Sequence, residues 1–218
     1  MAPSVSSLGW IFALASLACG SPMQAGAPRR VSEALPQRIE IPRGVAPSIN
    51  GNLSAGEWVD AGSVRIDVAP GWTVQIFFKH TESSLYFAFS PLTGAKEFYP
   101  EVVLDTRSDR TSRWDEDVWW FHASYSDCEG RGHFNDWNCT PTKPGWNANN
   151  YPLRDPGTIE MQISCEKLGL AKATGKLGIA LALAADNEWL PWPAGALEKK
   201  PSTWGEAVLA PEALQRQH

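Results

Sequence analysis

The chain has 218 residues, 43% hydrophobic and 20% charged, with 24 Asp and Glu against 19 Lys and Arg for a formal net charge of −5. That length holds one domain plus ends and supplies a full core, while the absence of any basic block excludes the electrostatic footprint of a nucleic-acid binder. The compositional outlier is 11 Trp: Trp fills cores, and a surplus also suits a surface that stacks on a flat ligand.

Residues 8–19 (LGWIFALASLAC) form an apolar run too short to span a bilayer and followed by small residues, so residues 1–25 read as an export signal, cleaved after Gly20 or near Ala25. Ser16-Leu17-Ala18-Cys19 resembles a bacterial lipobox with Leu one place from its usual position, which leaves lipidation of Cys19 as an alternative and as the one expected link to a membrane. The expected location is periplasmic, extracellular or cell-surface. Residues 26–45, rich in Pro, Ala and Arg, read as a linker, residues 46–211 as one domain and residues 212–218 as a tail.

Within the domain, Asn50-Gly51 marks a turn, and Leu53 and Trp58 are placed to anchor the next turn or short helix on the core. Residues 64–68 form a short strand. Residues 73–79 and 85–90 make the clearest hairpin: Val74, Ile76 and Phe78 alternate in one arm, Leu85, Phe87 and Phe89 in the other, with Thr81-Glu82-Ser83-Ser84 as the turn. Two further strands are expected at 101–105 and 118–125, joined by a loop carrying three Arg and four acids. In the second of these, Trp119, Phe121 and Ala123 face one side, and Val118, Trp120, His122 and Ser124 the other. One face is thus packed, and the opposite face is aromatic and polar together.

Residues 126–155 read as a long irregular loop holding Trp137, Trp146 and Tyr151. Cys128 and Cys139 lie eleven apart in it, and an exported chain lets them bond, restraining the loop by about 2–3 kcal/mol. A metal pair with His133 between them is the weaker reading, since two Cys and a lone His are no zinc signature. Residues 157–165 form a strand with Ile159, Met161, Ile163 and Cys165 inward, Cys165 being a buried thiol. In residues 177–184, large Leu177, Ile179, Leu181 and Leu183 alternate with Gly178, Ala180, Ala182 and Ala184, so the small face must be approached closely by a loop or a ligand. Residues 202–209 read as a closing strand. Short strands, irregular links and almost no helix predict an all-β antiparallel sandwich.

In this order and spacing, Ile49-Asn50-Gly51-x-Leu53 with Glu57-Trp58, Leu85-Tyr86-Phe87-Ala88-Phe89, Glu101-Val102-Val103-Leu104-Asp105, residues 163–170 (ISCEKLGL), Gly178-Ile179-Ala180-Leu181 and Pro201-Ser202-Thr203-Trp204-Gly205 resemble the family 9 carbohydrate-binding modules. The resemblance implies a β-sandwich that grips sugar rings between two Trp, helped by acid, Arg and amide groups, with structural calcium in some members. It places Glu101 on the family's binding acid and His122, or Phe121 under a slipped register, near its Arg. Phe98 and Tyr99 stand where one stacking Trp belongs, Glu198 or Lys199 at the second, and Ala180-Leu181-Ala182 on the amide-bearing strand. The fold carries over better than the site does.

The leading expectation is therefore an exported, non-catalytic and monomeric binder of a polysaccharide or oligosaccharide, working in carbohydrate catabolism beside a glycoside hydrolase. The candidate binding residues are Glu101, Trp114, Trp120, His122, Trp137 and Trp146, with the bridge Cys128–Cys139 holding the loop Trp side chains beside the Glu101/Trp120/His122 face. The alternative is a related haem-binding, DOMON-like electron-transfer sandwich, which needs two axial ligands in one pocket, such as His122 with Met161. An enzyme built on Asp115, Glu116 and Asp117 ranks below both, because adjacent acids on one turn suit a solvated loop better than a glycosidase pair. No cofactor is expected. Calcium on Asp105, Asp109, Asp115 and Asp117 stays open, with salt bridges to Arg107, Arg110 and Arg113 preferred.

Overall fold

In a computed structural model of the chain, residues 37–93, 97–139, 144–149 and 157–211 are described. The export signal with Cys19, the linker up to residue 36, Tyr151 and the tail from residue 212 lie outside the described residues.

Alternation of apolar and polar residues builds two facing sheets. The first runs β1 (Arg38–Ile41), β13 (Gly205–Leu209), β11 (Gly175–Ala185), β5 (Tyr99–Asp105), β6 (Val118–His122), β7 (Cys128–Arg131), β8 (Trp137–Asn138), with β12 (Glu188–Trp192) paired to the far end of β11. The second runs β2 (Gly62–Ala69), β3 (Trp72–His80), β4 (Ser84–Thr93), β10 (Ile159–Ser164), β9 (Trp146–Asn149). Pairing is antiparallel between these strands except between β1 and β13. The molecule is the expected all-β sandwich, its helical content among the described residues being a single 3-10 turn at Pro201–Thr203.

Between the sheets lies one apolar core. Val74, Ile76, Phe78, Leu85, Phe87 and Phe89 of the β3–β4 hairpin meet Val102, Leu104, Trp119, Phe121, Leu177, Ile179, Leu181 and Leu183 from the opposite sheet, with Ile159, Met161, Ile163 and Cys165 alongside. The predicted period-2 faces of β6, β10 and β11 are thus the faces that are buried. Cys165 is a free, buried thiol.

Each sheet is also covered on its outside. Over β4, Tyr86 and Ala88 pack under Trp58, Ile49 and Leu53. Glu160, wholly buried on β10, fastens that cover: it accepts the backbone N–H groups of Asn50 and Gly51 and the Trp58 Nε1–H, each at 2.9 Å. Over the first sheet, Trp114, Trp120 and Trp204 close on Val103, Val118 and Ala180, with Phe134, Trp137 and Trp189 at the margin.

Three elements differ from the sequence reading. Arg38–Ile41 falls in the stretch read as linker, yet it pairs with β13 in register Arg38↔Glu206 to Ile41↔Leu209 and buries Ile41 in the core. The segment read as one irregular loop contains β7, β8 and β9, and it changes sheets between β8 and β9. β12 comes after a two-residue turn, Asp186-Asn187, whose φ values of 49° and 64° are those of a primed hairpin turn that these residue types tolerate.

Candidate functional site

Glu101 sits on the outer face of β5, between His122 of β6 and Ala182 of β11 in register. Its side chain is buried, and both oxygens are engaged: His122 Nδ1–H donates to Oε1 at 2.8 Å and Trp189 Nε1–H to Oε2 at 2.7 Å. Trp189 comes from β12, where it stands opposite Ala184, and reaches Glu101 across β11. Only a strand with small outward residues lets an indole cross it at sheet level, which explains Ala182 and Ala184. Ala180 is covered by the Trp120/Trp204 cluster, and Gly178 has its own reason: a Cβ there would lie 2.9 Å from Asp105 Cβ.

Beside Glu101 opens a cleft of about 630 Å³, lined by Glu97, Tyr99, Trp189, Glu198 and the 186–187 turn. Tyr99 donates its hydroxyl to Glu97 Oε1 at 2.5 Å, and this bond, with burial adding to it, pushes the phenol up to about 12. Burial, reinforced by the negative charge of Glu101 and offset in part by Lys199, pushes the Glu198 carboxyl up to about 7.

A row of rings leads away from the cleft, starting at Tyr99. Tyr99 stacks on His122 (5.7 Å between centroids, 29°), His122 on Trp120 (5.1 Å, 19°), and Trp120 meets Trp137 at 4.0 Å. The last contact depends on Gly130, which pairs with both Trp120 and Trp137; a Cβ there would lie 2.8 Å from the Trp137 ring. The disulfide Cys128–Cys139 closes the same hairpin. Trp114 packs edge-on against Phe134, Trp137 and Trp204 and donates Nε1–H to the Glu198 carbonyl at 2.9 Å.

Of the six residues expected from the sequence, only Glu101 lines the cleft; His122 reaches it through its bond to Glu101, and Trp114, Trp120 and Trp137 belong to the apolar cluster on the same outer face, Trp114 lining a separate pocket with Arg107 and Arg113. Trp146 does not join them. Because β9 pairs with β10 in the second sheet, its ring fills the inter-sheet core, 5.3 Å from that of Phe121. Of the ten described Trp, seven are buried and three half-buried, so the Trp surplus goes into core and cover rather than an open platform. Trp189 is absent from the sequence-based set, although Asp186-Asn187 between two apolar runs is a hairpin signal that could have placed it.

The haem pair does not form. Met161 is fully buried in the inter-sheet core, whereas His122 lies on the outer face of the other sheet and gives its Nδ1–H to Glu101. No single haem can meet both.

The acids of the 106–117 loop form a separate group. Carboxylate oxygens of Asp105, Asp109 and Asp117 lie within 4.8 Å of one another. Burial, and a hydrogen bond shared with Asp117, raise the Asp105 carboxyl above its ordinary range despite N–H donors from Arg110 and Ser108. The same sharing pushes Asp115 up to about 6. Burial opposes ionisation of Asp117 too, but hydrogen bonds from Asp115 and the Arg107 N–H outweigh it and leave its carboxyl low. Arg107 supplies the preferred ion pairs, to Glu116 at 2.8 Å and Asp117 at 3.1 Å, whereas Arg110 donates to the Ser202 carbonyl instead. The buried Asp117 Oδ1 is the atom that takes the Arg107 ion pair, and it has no other hydrogen-bond partner among the described residues. An all-oxygen, converging donor set fits a hard divalent cation such as calcium, which Asp105, Asp109 and Asp117 would hold in competition with the Arg107 guanidinium.

No protein-family model and no curated protein matches the chain. Solved structures do. A family 9 carbohydrate-binding module from Caldicellulosiruptor kristjanssonii, in complex with cellotriose, superposes with a TM-score of 0.60 at 16% identity over 83% of this chain and 97% of that one. A structure of a family 9 module from the same organism with glucose gives 0.59 at 14% identity, covering 84% and 100%. A protein from Bacteroides uniformis gives 0.56 at 11%, covering 80% and 100%. At such identities the likeness is one of fold, and the fold of this chain is that of a family 9 carbohydrate-binding module.

Proposed function

We propose that the protein is an exported, non-catalytic carbohydrate binder that holds a sugar in the cleft at Glu101. The observation that carries this reading is the carboxylate itself. Held from two sides by His122 and Trp189, it needs no reordering to meet a ligand, and each oxygen keeps a lone pair for a sugar hydroxyl. Tyr99 and Trp189, both half-buried at the cleft, offer ring surface for the apolar face of a pyranose. Two family 9 modules of the same fold were solved with cellotriose and glucose, which supports sugar as the ligand class.

Export accords with the bridge Cys128–Cys139, since disulfides persist in oxidising compartments. A binder of this kind serves carbohydrate catabolism by keeping a glycoside hydrolase near its substrate. A glycan array probed with the full chain tests the reading: saturable binding to a defined set of glycans supports it, and blank spots throughout contradict it. Release of new reducing ends, lost in Glu198→Gln, would overturn the non-catalytic part.

A further inference from the structure

The charge of the cleft goes beyond what a neutral sugar asks for. Five acids line it, Glu97, Glu101, Asp186, Glu188 and Glu198; Asp186 is engaged by an interaction of its own, and the other four meet no Lys or Arg among the described lining residues. The nearby Lys199 does not turn its charge into the cleft: its Nζ lies 4.2 Å over the Phe134 ring. His122 is committed to Glu101 and Tyr99 to Glu97. Among the described residues, the Glu198 carboxylate receives no hydrogen bond. It is half-buried, and repulsion from Glu101 and burial both resist its ionisation.

Two carboxylates facing one partly dehydrated space are costly when both are charged, and a cation between them relieves both. A hydroxyl can only donate one neutral hydrogen bond. An ammonium brings three donors and a positive charge, and its bonds to carboxylates are the stronger class. A bare metal ion would leave the Tyr99 and Trp189 rings and most of the 630 Å³ unused, whereas a sugar ring carrying an amine uses the rings, the volume and the charge together.

We propose that this cleft selects an amino sugar bearing a protonated amine, of the glucosamine type, over its neutral counterparts, through the carboxylates of Glu198 and Glu101. The inference rests on the carbohydrate-binding reading above and names the ligand class within it.

The experiment is calorimetric titration of the full chain near neutral pH with three β-1,4 trisaccharides: that of glucosamine, its fully N-acetylated form, and cellotriose. They differ at the 2-position, where amine, acetamide and hydroxyl are exchanged. The glucosamine form is expected to bind about tenfold more tightly than either neutral one, the gain of one charge-assisted bond. Glu198→Gln, isosteric and so compatible with folding, should bring the three to within about twofold of each other. Glu166→Gln, which removes a charge from an exposed turn after β10, should leave the preference intact and so excludes attraction by net charge alone. Neutral sugars binding as well as the cationic one, a preference unchanged in Glu198→Gln, or calcium ion alone displacing the cationic sugar would each overturn the inference while leaving the carbohydrate reading in place. Failure of all three sugars to bind would overturn both.

Discussion

Trp189 Nε1 lies 2.7 Å from Glu101 Oε2, a bond thrown from β12 over the alanine face of β11 onto β5. It joins the strand that carries the acid to the hairpin that walls the cleft. Trp189→Phe keeps the ring but leaves a buried carboxylate oxygen without its donor, which costs about 1–3 kcal/mol of stability. Urea denaturation should show this loss, and sugar affinity should fall with it. A variant as stable as the wild type would mean that the bond holds nothing in place.

Glu160 performs a similar task on the other sheet, where it gathers three N–H donors from residues about a hundred positions away. Glu160→Ala should destabilise the domain by about 3 kcal/mol, because three donors lose a charged acceptor in a dry setting. The cleft lies on the opposite sheet, so the variant, where still folded, should bind sugar as the wild type does.

The Glu198 carboxyl gives the cleft a pH dependence of definite sign. Its folded value of about 7 is above the ordinary 4.5, so between these values the folded chain binds more protons than the unfolded one. Stability therefore falls as pH rises through that window. Glu198→Gln removes the effect. Relative to wild type it should gain about 1 kcal/mol between pH 5 and pH 8, after allowance for the solvent that screens a half-open carboxyl. Thermal melts of both proteins across that range measure it, and parallel curves would contradict it.

Calcium is expected to raise the melting temperature through Asp105, Asp109 and Asp117. At a hundredfold excess over its dissociation constant, linkage gives about 5–10 °C for a domain of this size. Chelator should reverse the shift, and Asp117→Asn should abolish it. A melt indifferent to both calcium and chelator would leave Arg107 as the cation that satisfies this loop.

Reducing the bridge Cys128–Cys139 should cost about 2–3 kcal/mol, the entropy of a short closed loop. The Trp137 contact with Trp120 should loosen with it, visible as a change in near-ultraviolet circular dichroism.

Local alternation is the part of this fold that the sequence makes legible. Trp119 and Phe121 against Trp120 and His122, the β3–β4 hairpin and the inward face of β10 all come from period 2, and a half-buried strand has no other way to lie. Glu101 is singled out by the resemblance to family 9 modules and not by alternation, while the pairing of Cys128 with Cys139 is legible from their closeness in one loop. Features that depend on distant partners are not. In the sequence Glu160 is one more polar residue in an alternating strand; its role exists only because Asn50, Gly51 and Trp58 fold back to meet it. Trp146 groups with Trp137 when only the eight residues between them are considered, yet the chain passes from one sheet to the other in that interval. Arg38–Ile41 is too short to signal a strand alone and exists through its parallel partner β13.

Sugar binding at Glu101 is most directly measured by a paired calorimetric titration of wild type and Glu101→Gln with whichever oligosaccharide the array identifies. Replacing the carboxylate by an amide keeps the shape but turns one acceptor oxygen into a donor facing His122 or Trp189. The expected result is a saturable one-to-one isotherm for the wild type and a loss of at least tenfold in the folded variant, about 1.4 kcal/mol. Equal affinity in the two proteins would place the sugar elsewhere and contradict the assignment of the cleft.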